Sequence, residues 1–434
     1  MTVETKLPYD AEYVSQFSKN LGEPEWLTNI RLEALQKVDQ LPLPKADKTK
    51  IDNWNFTNFK HGLKNEKIQS LEQLPEEIKA LINSDQAQKQ NLLIQRNGSL
   101  AYTVISEELK NQGVIFTDIA TAASTHGELL QKYFMTKAVK VDEHKLTALH
   151  AALMTGGTFI YVPKNVEVKE PLQVVYLQDE DVALFNHVIV VAEDNSAVTY
   201  IENYLSFNET ENVANIIAEV IAGTNANVHY GAVDHLATGM TAYVNRRGVV
   251  GRDGRIEWAL GQMNDGNTVS ENITNLKGDG SYADSKTVTV SRGEQKQNIT
   301  TKIVHFGKNS VGNILNHGVV KDEATSIFNG IGKIEHGATK SNAEQTSRIL
   351  MLSEKARGDA NPILLIDEDD VMAGHAASVG RVDPVQLYYL MSRGIQKVEA
   401  ERLIIHGFLR PVVNELAIEN VKNQLVEVIE RKVR

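Results

Sequence analysis

The chain has 434 residues, 42% of them apolar and 23% charged, a net charge of −11 and no cysteine. That length suits two or three domains, or one extended repeat body with appendages. The acidic balance speaks against general binding to nucleic acid or an anionic membrane, and the missing thiol excludes disulfides, cysteine-ligated zinc fingers and cysteine nucleophiles.

The opening MTVETKLPYD has no basic segment running into an apolar core, so it does not read as a signal peptide. No apolar run reaches the ~18 residues that a membrane helix needs, and the expected location is the cytoplasm. Pro24-Glu25 opens a helix with Trp26, Ile30, Ala34 and Val38 on one stripe. Residues 41–48, with two prolines, break it, and an aromatic, turn-rich stretch follows at 52–59. Residues 135–154 read as a further helix.

From about Gly156 the pattern changes. Segments at 158–162, 187–191, 197–201, 214–220 and 286–291 are β-branched and mostly alternate, which predicts strands. Between them come short turns of one kind, at 193–196, 223–226, 251–254, 278–281, 307–310 and 335–338. Their spacing is nearly constant at about 28 residues, enough for two strand passes and two corners at ~3.3 Å per strand residue. Strands at that period without intervening helices predict a solenoid. A β-sandwich would show hairpin turns every 8–12 residues or so, and such signals are sparse here.

After Gly380 helices return. Asp383-Pro384 is a cap followed by proline at the first helical position. Leu387, Leu390 and Met391 carry one apolar face, Ser392 and Gly394 break it, and Val398, Leu403, Ile404 and Phe408 form a second helix expected to stop before Pro411. A third spans 414–433, with Val421, Leu425, Val428 and Ile429 inward. The expected architecture is mainly β. A right-handed parallel β-helix, a two-sheet solenoid, occupies 156–382, with an N-terminal mainly helical domain at 1–155. A C-terminal helical domain at 383–434 caps the last coil.

The segment IDEDDVMAGHAASVG, 366–380, holds the densest set of candidate ligands. It places Asp367, Glu368, Asp369 and Asp370 ahead of His375. Imidazole suits iron, but this chain supplies no soft sulfur donor. On a strand, alternation would send Asp367 and Asp369 to one side and Glu368 and Asp370 to the other, so the acids read as a solvated corner or as outer support. His305 and His336 lie in similar phrases, KIVHFGKNS and KIEHGATKS, one coil apart, and could stack as a polar ladder. His144 and His150 receive no role. Gly330-Ile-Gly332 is only a fragment of a phosphate loop. No Walker sequence, G-x-S-x-G elbow or H-E-x-x-H is present, which points to a scaffold and not to an enzyme.

Four stretches together resemble the SufB/SufD family of iron–sulfur cluster assembly proteins. Residues 158–166, TFIYVPKNV, followed by Pro171-Leu172, resemble the family's entry into its β-helix. Residues 375–380, HAASVG, resemble its S-H-G-A-T-V-G stretch. Residues 387–394, LYYLMSRG, with EAERL at 399–403, resemble its C-terminal helices. The tryptophan helix and the proline-rich segment before Trp54 are similar too. The resemblance implies pairing with a SufB-like paralogue through the β-helix ends and binding of a SufC-like ABC-type ATPase by the C-terminal helices, with Leu387, Tyr388, Arg393, Gly394, Glu399 and Arg402 as contacts. It implies a transient iron–sulfur cluster at the paired interface, shared between a partner cysteine and a histidine that maps onto His375, with Glu368, Asp369 and Asp370 in support. No resident cofactor is expected, and no flavin motif is found. Some members carry a cysteine where this chain has Ala373, so any thiolate must come from the partner, and the cysteine-free composition favours the SufD branch over the SufB branch. Self-pairing into a homodimer is a further expectation. Removal of everything beyond about Gly380 is expected to abolish ATPase binding and leave the β-helix folded. The rival reading is a carbohydrate-active β-helix enzyme, such as a polysaccharide lyase, by fold analogy alone.

Overall fold

Asn195, Asn225, Asp253, Gly280, Asn309 and Gly337 all adopt positive φ, between 53° and 93°. Gly, Asn and Asp tolerate this left-handed region best, and these are the residues that recur at the predicted turns. Each turn stacks on the next: Asn195 N donates to Thr224 O, Asn225 N to Arg252 O, Asp253 N to Asp279 O and Gly280 N to Lys308 O, at 2.8–2.9 Å. One sharp corner per coil is therefore fixed locally and repeated along the axis.

The computed structural model describes residues 7–64, 67–68, 70–82, 91–207 and 209–433, so the first six residues of the N-terminal stretch lie outside it. The chain opens with α1 (Ala11–Asn20), α2 (Glu25–Val38) and α3 (Glu76–Leu81). A hairpin follows, β1 (Asn91–Arg96) and β2 (Ser99–Val104), then α4 (Glu107–Asn111), β3 (Ile115–Asp118), α5 (Ile119–Thr125), α6 (Gly127–Gln131) and α7 (Lys145–Leu153). The solenoid comprises β4 (Gly156–Val162), β5 (Leu172–Gln178), β6 (Leu184–Ala192), β7 (Ala197–Ser206), β8 (Asn212–Ala222), β9 (Asn227–His235), β10 (Met240–Val250) and β11 (Arg255–Gln262). It continues through β12 (Thr268–Leu276), β13 (Tyr282–Ser291), β14 (Lys296–His305), β15 (Val311–Val320), β16 (Thr325–Ile334), β17 (Asn342–Met351), β18 (Arg357–Ile366) and β19 (Met372–Arg381). Three helices end the chain: α8 (Pro384–Ser392), α9 (Lys397–Val413) and α10 (Glu419–Val433).

From β4 on, even-numbered strands pair in parallel in one sheet and odd-numbered strands in the other, giving eight coils. At the N-terminal end both sheets are closed by antiparallel strands, β2 on β1 and β3 on β4. The stretch read as mainly helical thus contributes three strands to the sheets.

Three large apolar cores hold this together, with smaller clusters around Phe328 and around Ile334 toward the last coils. Inside the solenoid pack Tyr176, Val188, Tyr200, Val228, Trp258 and their neighbours. Outside the even sheet, Phe185, Ile189 and Ile217 pack under Val14, Leu27, Ala34 and Leu149 of the N-terminal helices. Outside the odd sheet, Ile201, Val233, Met263 and Val290 pack under Ile405, Leu409, Leu425 and Ile429. Several strands are consequently buried on both faces, which is why β6 is buried throughout and its alternation is muted.

Four expectations change. Helix α2 buries Leu27, Arg31, Ala34 and Val38, so the buried face sits one residue off at its start and leaves Trp26 and Ile30 half-buried. Residues 135–154 are not one helix. Met135 has φ 49°, the Glu219 carboxylate takes up the N–H groups of Met135, Ala138 and Val139, and helix begins only after His144 caps it. Helix α9 does not stop before Pro411 but ends at Val413. A proline so near a C-terminus disturbs only the last turn. Finally, the C-terminal helices do not cap the last coil. They lie alongside the solenoid, α9 against β11, β13 and β15 and α10 against β13 and α3.

Two glycines seat these helices. A Cβ at Gly231 would lie 3.1 Å from Leu416, and one at Gly261 3.0 Å from Leu425. Gly261→Val is therefore expected to cost roughly 1–3 kcal/mol by overpacking. Urea denaturation would read it as a lower midpoint, and an unchanged midpoint would show that α10 does not seat on β11.

Candidate functional site

The last coil is open. Strand β18 pairs only with β16 and β19 only with β17, so each ends its sheet and offers an unpaired row of backbone donors and acceptors. Each is ten residues long. Leu365, Ile366, Met372 and Val379 are exposed on this coil, a concentration of large apolar side chains.

His375 lies in β19 opposite Gln345. Following the register backwards gives one row through Gln345, Ile314, Ser285, Trp258, Tyr230 and Tyr200. All of those are buried, which identifies the row as one facing the interior. His375 is its last member and is exposed, because no coil follows to cover it. Gln345 beneath it spends its amide on Ile363 O at 2.8 Å. Gly374 has open space where a Cβ would point.

The acids form the corner between β18 and β19 and do not alternate as a strand. Glu368 accepts from Gly337 N at 2.8 Å and Asp369 N at 3.1 Å and lies 3.6 Å from His336 Nδ1. Those backbone N–H groups, Gly337's above all, hold its carboxyl below the ordinary range. Asp370 O accepts from Lys340 N. Glu368 is thus committed to stacking one corner on the next. Among the described residues no three of His, Asp and Glu are gathered so as to hold a metal ion.

The His305–His336 ladder does not form. His305 aligns with Ile334, so the two similar phrases run two residues out of step. His305 is buried, with Nδ1 2.8 Å from Ser310 Oγ, whereas His336 is on the corner with its side chain 90% exposed. Gly330 and Gly332 lie within β16 and form no loop.

The C-terminal candidates sit on a projecting element. Asp383 Oδ1 accepts from Val385 N at 2.9 Å and caps α8. No residue of α8 is buried. Val385 and Tyr388 are each 73% exposed and Val398 71%, with Tyr389, Met391 and Leu403 also open. Leu387 is half-buried, and Arg393 lies over the Tyr389 ring at 5.2 Å. Gly394, at φ 87°, turns the chain into α9, where Arg402 pairs with Glu399 at 2.8 Å and with Glu430 at 3.6 Å. Tyr388, Arg393 and Gly394 are exposed at the surface, Arg393 against Tyr389, whereas Glu399 and Arg402 are half-buried and partly committed to each other. What the sequence signalled was the helix pair; that α9 and α10 turn their buried side to the solenoid had no local signal.

The chain is thus a parallel solenoid with helices on both flanks, an open last coil and a histidine ending its inner row. Residues 175–408 match the model described as "SUF system FeS cluster assembly, SufBD core domain", and residues 12–174 match "SufBD protein N-terminal region". The chain belongs to the SufBD family of iron–sulfur cluster assembly proteins. It is 66% identical, over the full length of both chains, to the iron–sulfur cluster assembly protein SufD of Bacillus subtilis. It is 29% identical to a SufBD family protein of Staphylococcus saprophyticus and 30% to one of Staphylococcus haemolyticus, each over 94% of this chain and 89% of the relative.

Proposed function

We propose that this chain is the non-enzymatic scaffold subunit of a SufBCD-type complex working in the cytoplasm. It pairs through the open edges of β18 and β19 with a SufB-like, cysteine-bearing paralogue and binds a SufC-like ABC-type ATPase through α8 and the start of α9. The observation that carries the reading is the uncovered last coil, with His375 ending its inner row. A partner with the same two-sheet cross-section satisfies both rows of unpaired backbone groups at once and covers Leu365, Ile366, Met372 and Val379. That junction brings His375 to face the partner, where its imidazole shares the nascent cluster with a partner thiolate. Glu368, Asp369 and Asp370 act from the adjoining corner. The cluster is cargo and leaves with its recipient.

No helix among the described residues is long and apolar enough to cross a membrane. The open faces of Val385, Tyr388, Tyr389 and Met391 on α8 and of Val398 at the start of α9 support macromolecular docking there. The test is His375→Ala in the reconstituted complex. Assembly, read by gel filtration, stays intact, and cluster yield, read by absorbance and iron content, falls by on the order of tenfold through loss of one metal ligand. Unchanged yield would sink the ligand role.

A further inference from the structure

Four polar side chains buried between the N-terminal helices and the even sheet form one continuous hydrogen-bonded chain. His150 of α7 has Nδ1 3.1 Å from Asn215 Oδ1 and Nε2 3.0 Å from His187 Nδ1. His187 Nε2 lies 3.1 Å from Glu219 Oε1. Glu219 Oε1 also accepts from Met135 N at 2.7 Å, and its Oε2 from Val139 N at 3.0 Å and Ala138 N at 3.3 Å. All four side chains are essentially inaccessible to solvent.

The donors and acceptors can be assigned in order. Asn215 Nδ2 donates to Leu146 O at 2.9 Å, so its Oδ1 is the acceptor for His150. His150 Nδ1 therefore carries hydrogen, and a neutral His150 has only a lone pair at Nε2. His187 must then donate through Nδ1. A neutral His187 is left with a lone pair at Nε2, pointing at a carboxylate oxygen. One more proton has to lie between His187 and Glu219, on either atom, or the last link is lone pair against lone pair.

We propose that Asn215, His150, His187 and Glu219 form a one-proton lock that fastens α7 to β6 and β8 while the proton is held and loosens it when it leaves. With the proton gone, the carboxylate faces the His187 lone pair. Reversing both histidine tautomers would only move the clash to Asn215, whose amide is fixed by Leu146. The repulsion therefore falls on α7, which carries both His150 and Leu146, whereas the carboxylate holds the three N–H groups of 135–139 more strongly than the neutral acid does.

Burial pushes the Glu219 carboxyl up to about 7 against the pull of those N–H groups, and it pushes both imidazoles down. The other charges around the chain are already matched. Arg247 of β10 pairs with Glu143 at 3.1 Å, and Arg31 of α2 pairs with Glu23. Lys137 sits over the Tyr133 ring, and His144 bonds Tyr243 OH at 2.8 Å. A raised carboxyl keeps its proton below its folded value, so the fastening is complete in acid and is lost as pH rises through about 7.

Hydrogen exchange read by NMR on the full-length protein tests this. After correction for base catalysis, protection of the His150 amide, within α7, is expected to fall by up to about tenfold per pH unit between the ordinary carboxylate range and about 7, and to level off above it. The Asn225 corner amide, which does not touch Glu219, should stay level. In Glu219→Gln, which cannot titrate, the pH dependence should vanish. A level wild-type profile at His150 between the ordinary carboxylate range and about 7 overturns the lock, and so does a variant that keeps the fall. If the variant does not fold, the wild-type comparison with Asn225 decides alone.

Discussion

Arg246→Met is expected to lose about 3–5 kcal/mol, the cost of leaving buried charge without its partner. Arg246 projects from β10 into the solenoid, where its guanidinium grips Asp234 with two bonds, Nη1 to Oδ2 at 2.9 Å and Nη2 to Oδ1 at 2.7 Å. Its Nε and Nη2 also reach Glu202 Oε1 at 3.2 and 2.9 Å. All three side chains are at most 1% exposed. One cation thus serves two carboxylates in a space otherwise lined by Tyr176, Tyr200, Tyr204 and Tyr230. The Tyr200 and Tyr204 hydroxyls reach Glu202 Oε2 at 3.2 and 3.4 Å, a partial substitute only. Against a typical total of about 5–15 kcal/mol, the loss would be read directly in urea denaturation. Burial already raises Glu202. Without the guanidinium Glu202 should hold its proton to still higher pH, so the variant's deficit should shrink in acid and grow as pH rises. A deficit below about 1 kcal/mol, the size of an exposed ion pair, would mean that water reaches the interior.

The second large effect follows from where the C-terminal helices lie. Removing everything beyond Gly380 does more than take away α8. It also strips Ile405, Leu409, Val412, Leu416, Val421, Leu425, Val428 and Ile429 from the outer face of the odd sheet. Ile201, Leu205, Val233, Met263, Val288 and Val290 would then face water. At ~1.5–3 kcal/mol per large buried side chain, that exceeds the stability of an ordinary domain. The truncated chain is therefore expected to aggregate on expression, contrary to the folded product that the sequence alone suggests. The Lys432 ammonium, sunk between Asn264 O and Asp265, would be lost as well. Deleting α8 alone, from Pro384 to Ser392, should preserve the fold and remove ATPase binding. A soluble truncation with native circular dichroism would show that the odd sheet does not depend on its helical cover.

These two cases also mark what the residues disclosed by themselves. The corners were legible because positive φ leaves a compositional trace: Asn195, Asn225, Asp253, Gly280 and Asn309 stand where the chain must turn. The strands between them were legible through their β-branched content. The interior was not. Glu202, Asp234 and Arg246 sit on three different strands and meet only once the coils stack, and His150, His187 and Glu219 are separated in the same way. Helices α9 and α10 had apolar faces suited equally to capping an end or lying along a side, and no local propensity chooses between those. His375 was visible because its strand and its neighbours carry the family's phrase. That it ends an inward row depends on register, which alternation in β19 alone does not disclose.

The two ends of the solenoid differ. One is closed by the antiparallel strands β2 and β3, the other is open at β18 and β19. Under the pairing proposed above, the two open ends cover each other and each outer end is left with β2 and β3, strands of six and four residues. That pairing would leave a ten-residue open edge at neither outer end, so a pair, like or unlike, is expected in place of a fibre, the usual hazard of an uncapped parallel solenoid.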